Sequence, residues 1–277
     1  MQHPALDPPP PPPPARPELP EGARPRWPAW YAGVGFLVAL IATLLVVGIL
    51  AAALGVSSDD EDPTFTVIAT FLQGVIFIGT AVMFASFTLK PRPEHFGLRP
   101  TRFWPAVGWA ALAISVFYVG IAVYTAVLQP DAEQTVAQDL GANQGTVGLI
   151  AAGFMVVCVA PVAEEFFFRG FFYRALRTRY SIVAAAAIDG FLFGVIHYDF
   201  SGADALLFVP PLAILGFLFC LVYERTGSLY PVIAMHALNN AIAFGVTVED
   251  VWPSLVFGAL VLVGCAAVPR AQRTAMA

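Results

Sequence analysis

Eight apolar runs, each about as long as a bilayer core is thick, constrain this chain more than any motif within it. A helix needs about 20 apolar residues to cross the hydrocarbon core. Such runs fall at roughly 30 to 55, 64 to 88, 103 to 128, 147 to 173, 181 to 200, 204 to 223, 229 to 247 and 251 to 268. Hydrophobic residues make up 58% of the chain and charged ones 12%, against roughly 45–50% and 25% in soluble domains. Backbone polar groups in lipid must be satisfied within the segment, so the runs are expected to be helices. The expected fold is therefore an all-α, polytopic membrane protein of about eight transmembrane helices.

Charge divides the connections into two classes. Arg16, Arg24 and Arg26 precede the first run; Lys90, Arg92, Arg99 and Arg102 separate the second from the third; Arg174, Arg177 and Arg179 follow the fourth, Arg225 the sixth, and Arg270 and Arg273 the last. The other connections, "SSDDEDP", "QPDAEQTVAQDLGANQG", "YDFSGAD" and "TVEDVW", hold eleven acidic residues and no Lys or Arg. The positive-inside rule then places both termini in the cytoplasm, with the chain multi-pass in the cell membrane. No inverted repeat of the transporter kind is evident.

Residues 1–29 form a proline-rich segment, with seven consecutive prolines from Pro8 to Pro14, and are expected to be a disordered cytoplasmic tail. Residues 30–268 form the transmembrane domain and 269–277 a short basic cytoplasmic C-terminus. Cys158, Cys220 and Cys265 lie inside apolar runs without CxxC spacing, as packing residues do. Thirteen arginines against the single Lys90, with abundant Ala, Val and Gly, point to a GC-rich bacterial genome.

Few ionisable side chains remain inside the runs: Glu164, Glu165 and Arg169 in the fourth, Asp189 and His197 in the fifth, and His236 in the seventh. Charges at such depth are costly and mark functional sites by default, the alternative being structural ion pairs. Glu165 and Arg169 are four apart, so they share a helix face and can pair. Glu164 lies about 100° around the helix, away from the arginine, free to serve as a general base. Phe193 and His197 are four apart, as are His236 and Asn240, which puts an imidazole and a carboxamide on one face of the seventh run. A carboxylate, two imidazoles and an amide converging in a dry cavity are the components of hydrolysis by an activated water. Phe166 to Phe168 are expected to wall that site.

"EEFFFR", "FGVIH" and "HALNN" read as EExxxR, FxxxH and HxxxN, in that order on successive runs. They resemble the motifs of the CAAX-protease and bacteriocin-processing (CPBP, Abi) family of intramembrane proteases. "EHFGLRP" and "YERTGSLYPVIAMHALNN" resemble flanking elements of the same family, so the resemblance covers about residues 94–245. It implies an intramembrane endopeptidase in which Glu164 activates the attacking water and His197 assists. His236 and Asn240 would stabilise the oxyanion, and Glu165 and Arg169, with Phe193, would support the site. Implied partners are the bilayer and a peptide or membrane-anchored protein substrate, with no nucleic acid. The bacterial branch suggests signal or bacteriocin-like peptides.

Two readings of the cofactor stay open. Glu164, His197 and His236 would supply a His₂Glu zinc set, but HExxH is absent and a glutamate protease requiring no metal is favoured. Asp189 stands where relatives commonly carry a small residue. It would pair with Arg169, tune His197 or line a wet wall, the structural pairing being preferred. Gly190 and Gly194 beside it form a GxxxG for close helix contact. Counting 1.5 Å per residue puts Glu164 roughly 15 Å from Arg174, near mid-membrane, and His197 about 24 Å from Ser181, nearer the outer leaflet. Convergence then needs tilt, a recessed fifth helix or a bent fourth. Pro210, Pro211 and Pro231 are expected to kink their helices, and access is expected from the cytoplasmic side. Rival functions are an inactive scaffold or bacteriocin self-immunity protein, and a proton-coupled transporter.

Overall fold

In the computed structural model the described residues are 27–56, 62–129, 135–198 and 204–276. The proline-rich tail lies outside them up to residue 26, as do parts of three acid-rich loops. The described residues form an all-α, multi-pass membrane bundle. Its main helices are α1 (Trp30–Leu54), α2 (Pro63–Ser86), α3 (Phe103–Leu128), α4 (Gly145–Leu176), α5 (Ile182–Val195), α6 (Val209–Thr226), α7 (Tyr230–Thr247) and α8 (Trp252–Met276). Six helical stretches, Leu206–Thr226 at α6 among them, are long and apolar enough to cross a membrane. The other two expected crossings fall short of that measure. α5 has only 14 residues, and α7, with 18, carries His236, Asn239 and Asn240. Large apolar side chains such as Ile49 and Val127 point outwards, 69% and 72% exposed, as a lipid-facing surface requires.

Local signals start and stop these helices. The Asp62 carboxylate accepts the backbone N–H groups of Thr64 and Phe65 at 2.9 and 3.2 Å, capping α2 ahead of Pro63. Ser181 caps α5 by accepting from Ala184 N at 3.2 Å. Pro210, Pro211 and Pro231 do not kink their helices: they occupy the first turns of α6 and α7, where a missing N–H costs nothing. Gly227 closes α6 at φ 61°, a left-handed conformation that glycine adopts without strain. Here the two motif-flanking segments meet. Leu229 N donates to Gly97 O at 2.8 Å, Ser228 Oγ to Arg99 O at 2.7 Å and Thr101 Oγ1 to Thr226 O at 2.9 Å.

α4 is the central helix. It contains two π-helical stretches, Met155–Val159 and Phe166–Tyr173, flanking the α-helical Ala160–Glu165. Pro161 cannot donate to the ladder and crowds the preceding turn, which the wider π turn before it relieves. Every residue from Phe166 to Tyr173 is buried, so this segment has no lipid-facing side. Phe77 stacks on Phe167 at 4.8 Å, Phe96 on Phe166 at 4.4 Å, and Phe193 meets Phe168 edge-on at 5.4 Å. Residue 27, expected in the tail, packs into the bundle: Trp27 is 1% exposed, packs on Phe96 and donates its Nε1–H to Phe171 O at 3.1 Å. At the other end α8 continues as helix through Pro269 and Arg270 to Met276, where a short tail was expected.

α5 and α6 pack with backbones nearly touching. A Cβ on Gly190 would lie 2.5 Å from Ala213 O, and one on Gly194 would lie 2.6 Å from Val209 O. Gly190 and Gly194 thus have the plain function of small-xxx-small pairs, letting backbones approach.

Candidate active site

Arg169 organises the floor of the site. Its Nη1 donates to Glu165 Oε1 at 3.0 Å, its Nη2 to Gly216 O at 2.9 Å, and Asp189 Oδ1 lies 3.3 Å from Nη2. All three charged side chains are fully buried. The guanidinium also lies 4.6 Å from the Phe193 ring centroid and 5.0 Å from that of Phe219. A cation shared by two carboxylates and two ring faces offsets much of the cost of burying it. Asp189 accepts Cys220 Sγ–H at 3.2 Å as well, and neither of them lines the cavity described below. Its place is in the ion cluster, next to Arg169.

Above this floor, three helices bring the remaining polar groups together. The α7 residue His236 donates Nδ1–H to Glu165 Oε1 at 2.8 Å, so its Nε2 faces Glu164 Oε2 at 3.9 Å. His197 lies just beyond the end of α5, in the turn after Val195. Its Nδ1–H donates to Phe193 O at 2.6 Å, and its Nε2 faces the same Glu164 oxygen at 3.8 Å. A backbone carbonyl only accepts, so that bond fixes which nitrogen of His197 turns to the glutamate. Phe193 holds both imidazoles, with ring centroids 4.8 Å from His197 and 5.7 Å from His236. Glu164 Oε2 is buried and has no hydrogen-bond partner in the protein.

The carboxamides sit one turn along. Asn240 Nδ2 donates to Val156 O at 2.9 Å, and its Oδ1 accepts from Asn239 Nδ2 at 3.3 Å. Tyr118 donates to Asn239 Oδ1 at 3.3 Å. Val156 belongs to the first π-helical stretch of α4, so the wide turn supplies the carbonyl that orients Asn240. Asn239 was not singled out from the sequence, although it lies three residues from His236 and hence near the same face. The i, i+4 spacing pairs Glu165 with Arg169 alone. The Glu165–His236 bond joins positions 71 residues apart and had no sequence signal.

A cavity of about 310 Å³ collects Glu164, Phe193, His197, His236, Asn239 and Asn240 on one surface. Two expectations about it are corrected. Phe166, Phe167 and Phe168 do not line it, because the π-helical stretch turns them into the aromatic core below. Nor does the cavity run towards the basic loops. Its walls include Thr66, Val136, Asp139 and Thr247, all at the acid-rich end. Zinc bonds to nitrogen and oxygen are about 2.0–2.2 Å, and among the described residues no three His, Cys, Asp or Glu side chains stand close enough to hold a metal. The arrangement of Glu164, His197 and His236 therefore does not fit a zinc ion as it stands.

Residues 146–242 match the family model described as type II CAAX prenyl endopeptidase Rce1-like. Among curated proteins, the uncharacterized protein YyaK of Bacillus subtilis (strain 168) is 27% identical over 147 residues, which are 50% of this chain and 46% of that protein. The chain thus spans less than half the length of that relative. No solved structure matches it. The matched stretch holds Glu164, His197, His236 and Asn240 and the helices that position them, and it is similar to the Rce1-like type II CAAX prenyl endopeptidases.

Proposed function

We propose that this chain is an intramembrane endopeptidase in which Glu164 takes the proton of the attacking water. The observation that carries this reading is the position of Glu164 Oε2, unpartnered and 3.8 and 3.9 Å from two imidazole nitrogens. Those separations are too long for direct hydrogen bonds and suit one bridging water. The water oxygen bonds to the scissile carbonyl carbon while its proton passes to Glu164 and His197 Nε2 holds it in line. Negative charge then develops on the carbonyl oxygen. His236, anchored by Glu165, and the second N–H of Asn240 Nδ2 stabilise that oxygen. Collapse breaks the C–N bond, and Glu164 returns its proton to the leaving amine. No step requires a metal.

The substrate is a peptide or membrane-anchored protein. The segregation of its basic loops supports a location in the cell membrane with both termini cytoplasmic. The test compares purified wild type with Glu164→Gln and Glu165→Ala in detergent against a peptide library. Glu164→Gln is expected to lose about 10²–10⁴-fold in turnover, the usual contribution of a general base. Unchanged cleavage by Glu164→Gln would show that the base lies elsewhere. Absence of cleavage by every form would favour a scaffold or self-immunity protein.

A further inference from the structure

The walls of the cavity all lead to one end of the bundle. α2 contributes Thr66, Thr70 and Gln73 from its first turns, which follow an acid-rich loop. Asp139 comes from a one-turn helix, Val136–Asp139, in the loop between α3 and α4, and Thr247 ends α7 before Glu249 and Asp250. His197 itself lies at the threshold of a fourth acid-rich loop. The opposite end is closed. Phe167, Phe168, Phe171 and Phe172 are at most 1% exposed below Glu164. Beneath them Arg174 Nη1 donates to Tyr223 Oη at 2.7 Å, and Arg177 Nη2 lies 3.0 Å from Glu224 Oε1.

Next to the cavity, a second groove runs between α1 and α2, lined by Leu44, Val47 and Phe65. It shares Thr66, Thr70 and Gln73 with the cavity, so these three side chains form its common wall. They recur at i, i+4 and i+7 on an otherwise apolar helix, a polar stripe of the kind that lines a route inside a membrane. Thr70 Oγ1 donates to Thr66 O at 2.8 Å, which keeps that stripe compatible with the helix.

We infer that substrates reach Glu164 from the acid-rich end of the bundle, with an apolar anchor lying in the α1–α2 groove. The segregation of Lys and Arg puts that end outside the cytoplasm. The substrate class is then an exported or membrane-anchored peptide that displays its scissile bond on the outer side. This rests on Glu164 being the catalytic base. A bond offered on the basic-loop side meets the packed aromatic floor instead.

Single cysteines in the full chain, read with a membrane-impermeant sulfonated maleimide, test the route without turnover. Asp139→Cys marks the mouth, Thr70→Cys the shared wall, Thr247→Cys a second wall position and Arg179→Cys the basic end. The wild type reports any labelling of its own three cysteines. Expected is labelling of Asp139→Cys, Thr70→Cys and Thr247→Cys in intact cells, and of Arg179→Cys only in inside-out vesicles. Labelling of Thr70→Cys and Thr247→Cys from the Arg179 side overturns the route, as does protection of both from either side until the protein is unfolded. Labelling of Asp139→Cys and Arg179→Cys from one common side overturns the orientation. The same labelling in a Glu164→Gln background separates the two ideas: a wrong base changes cleavage results and leaves this pattern in place.

Discussion

Glu165 Oε1 accepts the Nδ1–H of His236 at 2.8 Å, tying α7 to the central helix at the point where Arg169 also binds that oxygen. Adjacent glutamates therefore have opposite dependence on protein partners. Glu165 is fully buried and doubly bonded through one oxygen, whereas Glu164 Oε2 has none.

That contrast predicts a split between stability and turnover. Glu165→Ala leaves Arg169 short of a counter-charge in the interior and is expected to cost about 3–5 kcal/mol, the usual penalty for breaking a buried pair from one side. It also frees His236 to rotate, so cleavage falls too. Glu164→Gln is expected to leave the thermal midpoint in detergent nearly unchanged while turnover collapses. Equal destabilisation by both variants would contradict the division of roles.

Asp189 and Arg169 provide a second test. Arg169→Met leaves two carboxylates facing each other across an apolar gap, and is expected to destabilise more than Asp189→Asn, which keeps a polar group beside the guanidinium. Because the two residues touch at 3.3 Å, their effects should not add. A double-mutant cycle on chemical denaturation is expected to give a coupling of about 0.5–3 kcal/mol. Asp189→Asn should lower stability more than cleavage, since Asp189 does not reach the cavity. A coupling near zero would place Asp189 outside the ion cluster.

Much of this site was legible because its spacings are local. Glu165 with Arg169, Phe193 with His197 and His236 with Asn240 each share one helix face, which periodicity alone can detect. Which of the faces meet is a property of packing, which periodicity does not encode. Counting residues inward from a loop treats helices as straight and full-length, yet α5 stops at Val195 and α4 widens twice into π turns. Those two departures bring His197 to Glu164 and turn Phe166 to Phe168 away from the cavity. They also explain why depth counting separated His197 from Glu164: His197 lies in the turn beyond α5, at the end where the cavity opens. Trp27 escaped notice because its partners, Phe96 and Phe171, are remote in sequence.

The α5–α6 contact should control His197 from a distance. A Cβ at Gly194 meets the backbone at Val209 and Ala213, atoms that cannot swing aside as a flexible side chain can. Gly194→Ala is expected to cost about 1–3 kcal/mol by overpacking and to lower turnover by shifting the end of α5. Gly120→Ala on α3 is the matched control, with nothing within 4 Å of its Cβ. It should stabilise the helix by roughly 0.5–1 kcal/mol. Thermal unfolding and cleavage rates measured together check both. Retained cleavage in Gly194→Ala with a lowered midpoint would mean that His197 is held by Phe193 alone.

On the proposed mechanism, metal dependence turns on the same three atoms that surround the proposed base. His197 and His236 each commit Nδ1 to an acceptor and turn Nε2 to Glu164, so the set has the right chemistry for zinc but an open spacing. Binding zinc at about 2.0–2.2 Å would require the donors to close in, pulling His236 from Glu165 or His197 from Phe193. A water needs no such movement, since its hydrogen bonds are longer by roughly 0.7 Å. Incubation with 1,10-phenanthroline is therefore expected to leave cleavage unchanged, and added zinc to give no activation. Loss of cleavage with the chelator, restored by zinc and absent from a non-chelating isomer, would show instead that the donors do close on a metal and that Glu164 acts on a metal-bound water.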